Sequence, residues 1–263
     1  MRNGLKARLA EGGMIAAAWA ELGNPDVAEI LVRHGWRTIV IDGEHGRGEL
    51  EDWVAVARAI EAAGGEVILR LPDGSDTMIK RALDRGFRSF IVPMVNTRAQ
   101  AEAVVSSFRY PKRGRRGYAA PIVRGSDWGT RPDYAREEAH DELVLMLQCE
   151  HVDAVENLDE IASVPGIDLI FIGPNDLAAS AGHLERMEHP EIQALLKRVE
   201  DTAARHGIGL ATVRGGGRDW ADLARLGYRL VAGVNDISML IESARRSLAE
   251  LEGSATGAAP EGY

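Results

Sequence analysis

The chain has 263 residues, 45% hydrophobic and 27% charged, with a formal net charge of −9. That size suits one large α/β barrel or two small domains, and the acidic balance argues against a nucleic-acid surface. The one cysteine, Cys149, excludes an internal disulfide and fits a reducing cytoplasm; no apolar run reaches the length of a membrane span, and the opening residues lack the apolar core of a signal peptide.

Eight apolar, β-rich runs recur along the chain: Met14 to Trp19, Trp36 to Asp42, Glu66 to Leu71, Arg88 to Pro93, Leu143 to Cys149, Ile167 to Gly173, Ile208 to Val213, and Arg229 to Gly233. Helical spacing marks the stretches between them, as in Pro25 to His34, Leu50 to Ala63, Asp76 to Arg85 and Thr97 to Ser107. Gly35, Gly64, Gly86, Gly207 and Gly227 each follow a helical run, as C-terminal caps do. Strands alternating with helices over this length predict a closed (β/α)8 barrel spanning residues 1–252. An open doubly wound sheet would carry a glycine fingerprint after its first strand, and Trp19-Ala20-Glu21-Leu22-Gly23 is not one. The stretch Tyr110 to His140 is too long for an ordinary loop and is expected to cover the site or reach a neighbouring subunit. The small, polar tail from Gly253 to Tyr263 is expected to be disordered.

In such a barrel the chemistry collects at the C-terminal ends of the strands. Asp42, Glu44 and His45 end the second run, Arg70 the third, Gln148 and Glu150 the fifth, and Gly173 to Asp176 follow the sixth. Glu150 and Asp176, on adjacent strands, suit a hard ion such as Mg²⁺ or Mn²⁺, while a salt bridge for Glu150 and a helix cap for Asp176 are the structural alternatives. No pair of histidines or cysteines has zinc-site spacing, which makes a zinc site an unfavoured reading. Arg70 is either half of a buried ion pair or an anion ligand. His45 could act as a base if a carboxylate orients it. Alternation along the fifth strand turns Gln148 and Glu150 one way and Cys149 the other, so the thiol is read as buried and inert. The four lysines, Lys6, Lys80, Lys112 and Lys197, lie away from every predicted strand end, which disfavours a Schiff-base mechanism. Arg214-Gly215-Gly216-Gly217 reads as a flexible loop with anion binding as the alternative, and Arg113, Arg115 and Arg116 as a solvated loop or subunit contact.

Ile41-Asp42-Gly43-Glu44-His45, Val92-Pro93-Met94-Val95, Tyr110-Pro111-Lys112-Arg113-Gly114-Arg115-Arg116-Gly117, Gln148-Cys149-Glu150 and Phe171-Ile172-Gly173-Pro174-Asn175-Asp176-Leu177 occur in that order. Together they resemble the HpcH/HpaI family of class II pyruvate aldolases over nearly the whole chain. The resemblance implies a barrel with a swapped C-terminal helix, assembled as a hexamer of two trimers. It implies a divalent metal, Mg²⁺ or Mn²⁺ with Co²⁺ as a further candidate, on Glu150 and Asp176. Arg70 would meet the keto oxygen of pyruvate, and Gln148 with the Gly173-Pro174-Asn175 segment would position it. His45 would govern proton transfer with Asp84, reached across a subunit boundary, or with Asp42 as the local alternative. Trp19 and Val213 would line the aldehyde side, with residues 118–125 supplied by a neighbour. The implied reaction is reversible cleavage of a 4-hydroxy-2-oxo acid to pyruvate, or hydroxypyruvate, and an aldehyde. Oxaloacetate decarboxylation, a citrate-type or CoA-ester lyase, and a non-catalytic barrel that binds 2-oxo acids are the rivals. The glycine run after Arg214 and the basic Arg113 to Arg116 stretch depart from the usual pattern.

Overall fold

Each predicted apolar run forms a strand because it is buried on both faces, which only parallel strands roofed by helices allow. A computed structural model describes residues 2–255, with side chains through 252. The strands are β1 (Ile15–Ala20), β2 (Thr38–Asp42), β3 (Glu66–Arg70), β4 (Ser89–Val92), β5 (Val144–Cys149), β6 (Leu169–Ile172), β7 (Gly209–Val213) and β8 (Tyr228–Asn235). They pair in sequence order, all parallel, and β8 returns to β1, closing a barrel with no free edge.

Alternation divides the core into two layers. Trp19, Val40, Ile68, Ile91, Met146, Phe171, Ala211 and Leu230 fill the barrel interior. Their strand neighbours Ile39, Ile41, Leu69, Phe90, Leu147, Cys149 and Ile172 pack outward beneath the helices. Cys149 therefore points away from the mouth, as its parity with Gln148 requires.

The helices are α1 (Gly4–Glu11), α2 (Pro25–Arg33), α3 (Leu50–Ala62), α4 (Asp76–Asp84), α5 (Arg98–Ser107), α6 (Ala139–Asp141), α7 (Val152–Glu156), α8 (Leu158–Ala162), α9 (Pro174–Ser180), α10 (Pro190–His206), α11 (Trp220–Arg225) and α12 (Asp236–Ala255). Capping chemistry starts several of them where the sequence supplies it: Asn24 for α2, Ser75 for α4 and Thr97 for α5 each accept a first-turn N–H. The sequence reading did not foresee α1. Its Leu5 joins the barrel-interior cluster, and its cap residue Asn3 donates to Ser89 Oγ at 3.0 Å, so the helix plugs the N-terminal end of the barrel.

The 110–140 stretch is the long insertion between α5 and β5. Within this chain it does not roof the mouth. It folds against the far end of α4, where Arg116 bonds Asp84 at 2.8 Å and Arg124 donates to the Arg85 carbonyl at 3.0 Å. Arg116 is not solvated either. Its side chain is fully buried, stacked 4.4 Å over the Tyr110 ring, because a planar guanidinium is weakly hydrated and packs well on aromatic faces. Arg115 and Arg113 pair with Asp76 and Asp141. The helix α12 continues through Ala255, past the expected barrel limit at 252; the rest of the predicted tail, from residue 256, lies outside the described residues.

Candidate active site

At the C-terminal end of β2 the chain must turn sharply. Asp42 does this work, its Oδ1 accepting the Glu44 and His45 amides at 3.0 and 3.2 Å. The glycines on either side leave room that a side chain would fill. A Cβ on Gly43 would sit 2.6 Å from the Arg70 carbonyl oxygen, and one on Gly46 would sit 2.4 Å from that of Asp42.

Barrel register sets Asp42 beside Arg70. The guanidinium donates to Asp42 through Nε at 2.9 Å and Nη2 at 2.6 Å, its Nη1 lies 3.2 Å from Glu44 Oε2, and its plane stacks 4.5 Å over Trp19. Burial alone would push the Asp42 carboxyl up. The Arg70 bonds and charge, with the two amides, outweigh burial and hold it below the ordinary carboxylate range. Trp19 is fixed by its own indole N–H, bonded to the Ala232 carbonyl at 3.2 Å, and by an edge contact with Phe171.

Glu150 leaves the end of β5 almost fully buried, 2% exposed. One oxygen accepts the Met94 amide at 2.8 Å and the other meets the Gln148 side-chain amide. Met94 presents that amide from a left-handed conformation, φ 54°, which a non-glycine residue adopts at a cost. Burial, then the repulsion of Asp176, holds Glu150 above its usual pKa despite those bonds. Asp176 is the third residue of α9, whose cap is Gly173, so it is not the helix cap. Its carboxylate is exposed and has no hydrogen bond or ion pair among the described residues. Gly173 is required between the two, since a Cβ there would stand 2.6 Å from Glu150 Oε2.

Trp19, Arg70, Glu150, Gly173 and Asp176 line one cavity of about 290 Å³, together with Glu21, His45, Gln148, Phe171, Pro174, Asn175, Val213, Arg214 and Asn235. A wider depression of about 540 Å³ lies between Thr130 and Glu142, outside the mouth, where Arg131 is already paired with Glu138. The mouth fits a hard divalent cation. It offers two facing carboxylates that repel one another, and the buried Gln148 Oε1 has no hydrogen-bond partner among the described residues. No lysine lines it.

The structure gathers Trp19, Asp42, His45, Arg70, Gln148, Glu150, Gly173, Pro174, Asn175, Asp176 and Val213 at this end of the barrel. Asp84 stands apart. It ends α4, at the opposite end of the barrel from His45, and is engaged by Arg116. The local alternative also changes, because both oxygens of the Asp42 carboxylate are committed to Arg70 and it meets only the backbone of His45. The imidazole is about two-thirds exposed, and its Nε2 lies 3.9 Å from Glu44 Oε2. The sequence reading missed Glu21 as a mouth residue. It follows β1 as Glu150 follows β5, and the same rule finds it. The Met94 amide had no such signal, because it acts through backbone. The loop after β7 is a tight turn with a Gly215–Arg218 bridge, and Arg214 lies 5.6 Å over the Trp220 ring.

A hydroxypyruvate/pyruvate aldolase of Cupriavidus necator is 37% identical over 245 residues, 93% of this chain and 89% of that protein. A 5-keto-4-deoxy-D-glucarate aldolase of Shigella boydii is 35% identical, over 78% of this chain and 79% of its own length. Among solved structures, an HpcH/HpaI aldolase/citrate lyase family protein from Burkholderia cenocepacia superposes with a TM-score of 0.89 at 33% identity, covering 95% of this chain and 99% of that one. The profile of the HpcH/HpaI aldolase/citrate lyase family matches residues 16–243, and this chain belongs to that family.

Proposed function

We propose that the protein is a class II pyruvate aldolase that cleaves a 4-hydroxy-2-oxo acid, reversibly, to pyruvate or hydroxypyruvate and an aldehyde. The names of its relatives support this reading, and one observation carries it: Glu150 and Asp176 face a cavity shared with an arginine whose direction is fixed. Those two carboxylates would hold Mg²⁺ or Mn²⁺, with Co²⁺ as a substitute. When bound, such an ion supplies Lewis acidity toward the keto and carboxylate oxygens of the 2-oxo acid.

The chain's own residues do the rest. Breaking the C3–C4 bond moves negative charge onto the keto oxygen. Arg70 is suited to stabilise that charge, since Asp42 and Trp19 hold the guanidinium at the mouth before substrate arrives. Gln148 and the backbone of the Gly173-Pro174-Asn175 turn would orient the pyruvyl unit, and Trp19 and Val213 would border the aldehyde. His45, exposed at the rim, would exchange the substrate proton with solvent.

We also infer that the chain self-associates, as a trimer or as a hexamer of two trimers. The helix α12 leaves Ile237, Leu240, Ile241, Leu248 and Leu251 exposed at helical spacing, a stripe suited to a swapped helix. In such an assembly a neighbour could bring its Asp84 to His45. No helix among the described residues is long and apolar enough to cross a membrane, and the lone buried Cys149 supports a cytoplasmic setting.

The test is loss of the pyruvate methyl protons in D₂O, followed by NMR with Mg²⁺ or Mn²⁺ and then with chelator. Metal-dependent exchange, abolished in Arg70→Ala, is the expected result. Exchange that is absent with every divalent ion would sink the aldolase reading.

A further inference from the structure

We propose a second metal site, on the outer surface of the barrel, formed by His183, His189 and Glu191 and suited to a borderline-soft ion such as Zn²⁺. His183 Nε2 lies 2.8 Å from Glu191 Oε2, and the two imidazole rings stack face to face with centroids 3.6 Å apart. One ligand atom from each of the three residues falls within 4.8 Å of the others. Two nitrogens and one carboxylate oxygen leave a fourth position for water, the donor set of an open zinc site. The oxygen-only pair at Glu150 and Asp176 has different preferences, so one chain would hold two metals of different class.

The backbone that carries the ligands is held in place. The His183 amide bonds the Ala178 carbonyl at 2.7 Å, tying it to the end of α9. His189 is the cap residue of α10, and Glu191 lies in that helix's first turn. The His189 ring makes one hydrogen bond, a long one of 3.3 Å from the Glu191 amide to Nδ1, so an ion at that ring displaces little. His183 exposes 17% of its side chain, enough for an ion to enter.

The location gives the site a consequence. Met187 and Glu188, between the two histidines, are the nearest groups a Cβ would meet at Gly215, Gly216 and Gly217, at 3.3 to 3.9 Å. That glycine turn follows Val213 and Arg214 of the mouth. An ion that cross-links residues 183 and 189 would stiffen the support of the turn.

The test is Zn²⁺ titration by calorimetry on four forms of the full chain. Wild type should bind two ions per chain. Glu150→Gln with Asp176→Asn should keep one. His183→Ala with His189→Ser should lose that one, the serine oxygen preserving a cap for α10. The combination of all four changes should bind none, and circular dichroism should show each variant folded. Failure of Glu150→Gln with Asp176→Asn to bind Zn²⁺ would overturn the proposal. So would an unchanged isotherm for His183→Ala with His189→Ser. If the mouth bound no ion, wild type would take up one, lost with the histidines; that outcome supports this site while counting against a metal in the mouth.

Discussion

Replacing Asp42 with asparagine tests whether the mouth is built on a buried ion pair. The Asp42 side chain is fully buried and that of Arg70 is 12% exposed. Removing one partner of such a pair costs about 3–5 kcal/mol, because the remaining charge is stranded. Glu44, 3.2 Å from the guanidinium, still offsets part of that charge, which places the loss near the lower limit, about 3 kcal/mol. For a chain of this size that corresponds to a melting point lower by about 6–12 °C. The assay is urea unfolding at fixed protomer concentration, since association would shift the midpoint. The pH dependence follows from sign. The fold lowers the Asp42 pKa, so its stabilisation is complete above the unfolded value and is lost as pH falls through the folded one. The gap between wild type and variant should therefore narrow in acid. Proton exchange into pyruvate should also slow by about 100-fold as Arg70 loses its fixed direction. A stability loss under about 0.5 kcal/mol at neutral pH, or a gap that widens on acidification, would refute the reasoning.

Three further outcomes are expected. Gly173→Ala should weaken divalent-ion binding by at least about tenfold while the protein stays folded, because the added methyl displaces Glu150 Oε2; unchanged affinity would place the ion elsewhere. Burial pushes the Cys149 thiol up to about 12, so a thiol reagent at pH 8 should label the protein only after denaturation, and fast stoichiometric labelling of native protein would contradict the outward-packed position. Leu240→Glu with Leu248→Glu should shift the mass seen by light scattering toward the monomer, whereas an unaltered mass would separate α12 from the assembly.

The strand and helix pattern was legible because burial imposes it residue by residue. The predicted run Glu66 to Leu71 became β3 at Glu66–Arg70, and the predicted helix Leu50 to Ala63 became α3 at Leu50–Ala62. The mouth was legible for a related reason. Parallel strands place their last polar residues at one end, so Asp42, Arg70, Gln148 and Glu150 could be grouped before any coordinates. The helix α1 was less visible, because its burial is a single residue, Leu5, inserted into the barrel end.

Pairing was another matter. Asp42 stands three residues from His45 and twenty-eight from Arg70, and it binds the distant arginine. Register between β2 and β3 determines that choice, and a one-dimensional reading has no access to it. Arg116 reads in the sequence as part of a solvated loop or a subunit contact, yet within the chain it lies sealed between two tyrosines with Asp84. The connection from α9 to α10 folds back and stacks the rings of His183 and His189. The sequence by itself determined the periodicity, hence the barrel and the end at which its chemistry lies. Only the tertiary structure decided which charges meet, because ion pairs and ring stacks are set by distances between elements, and those follow from how the barrel closes.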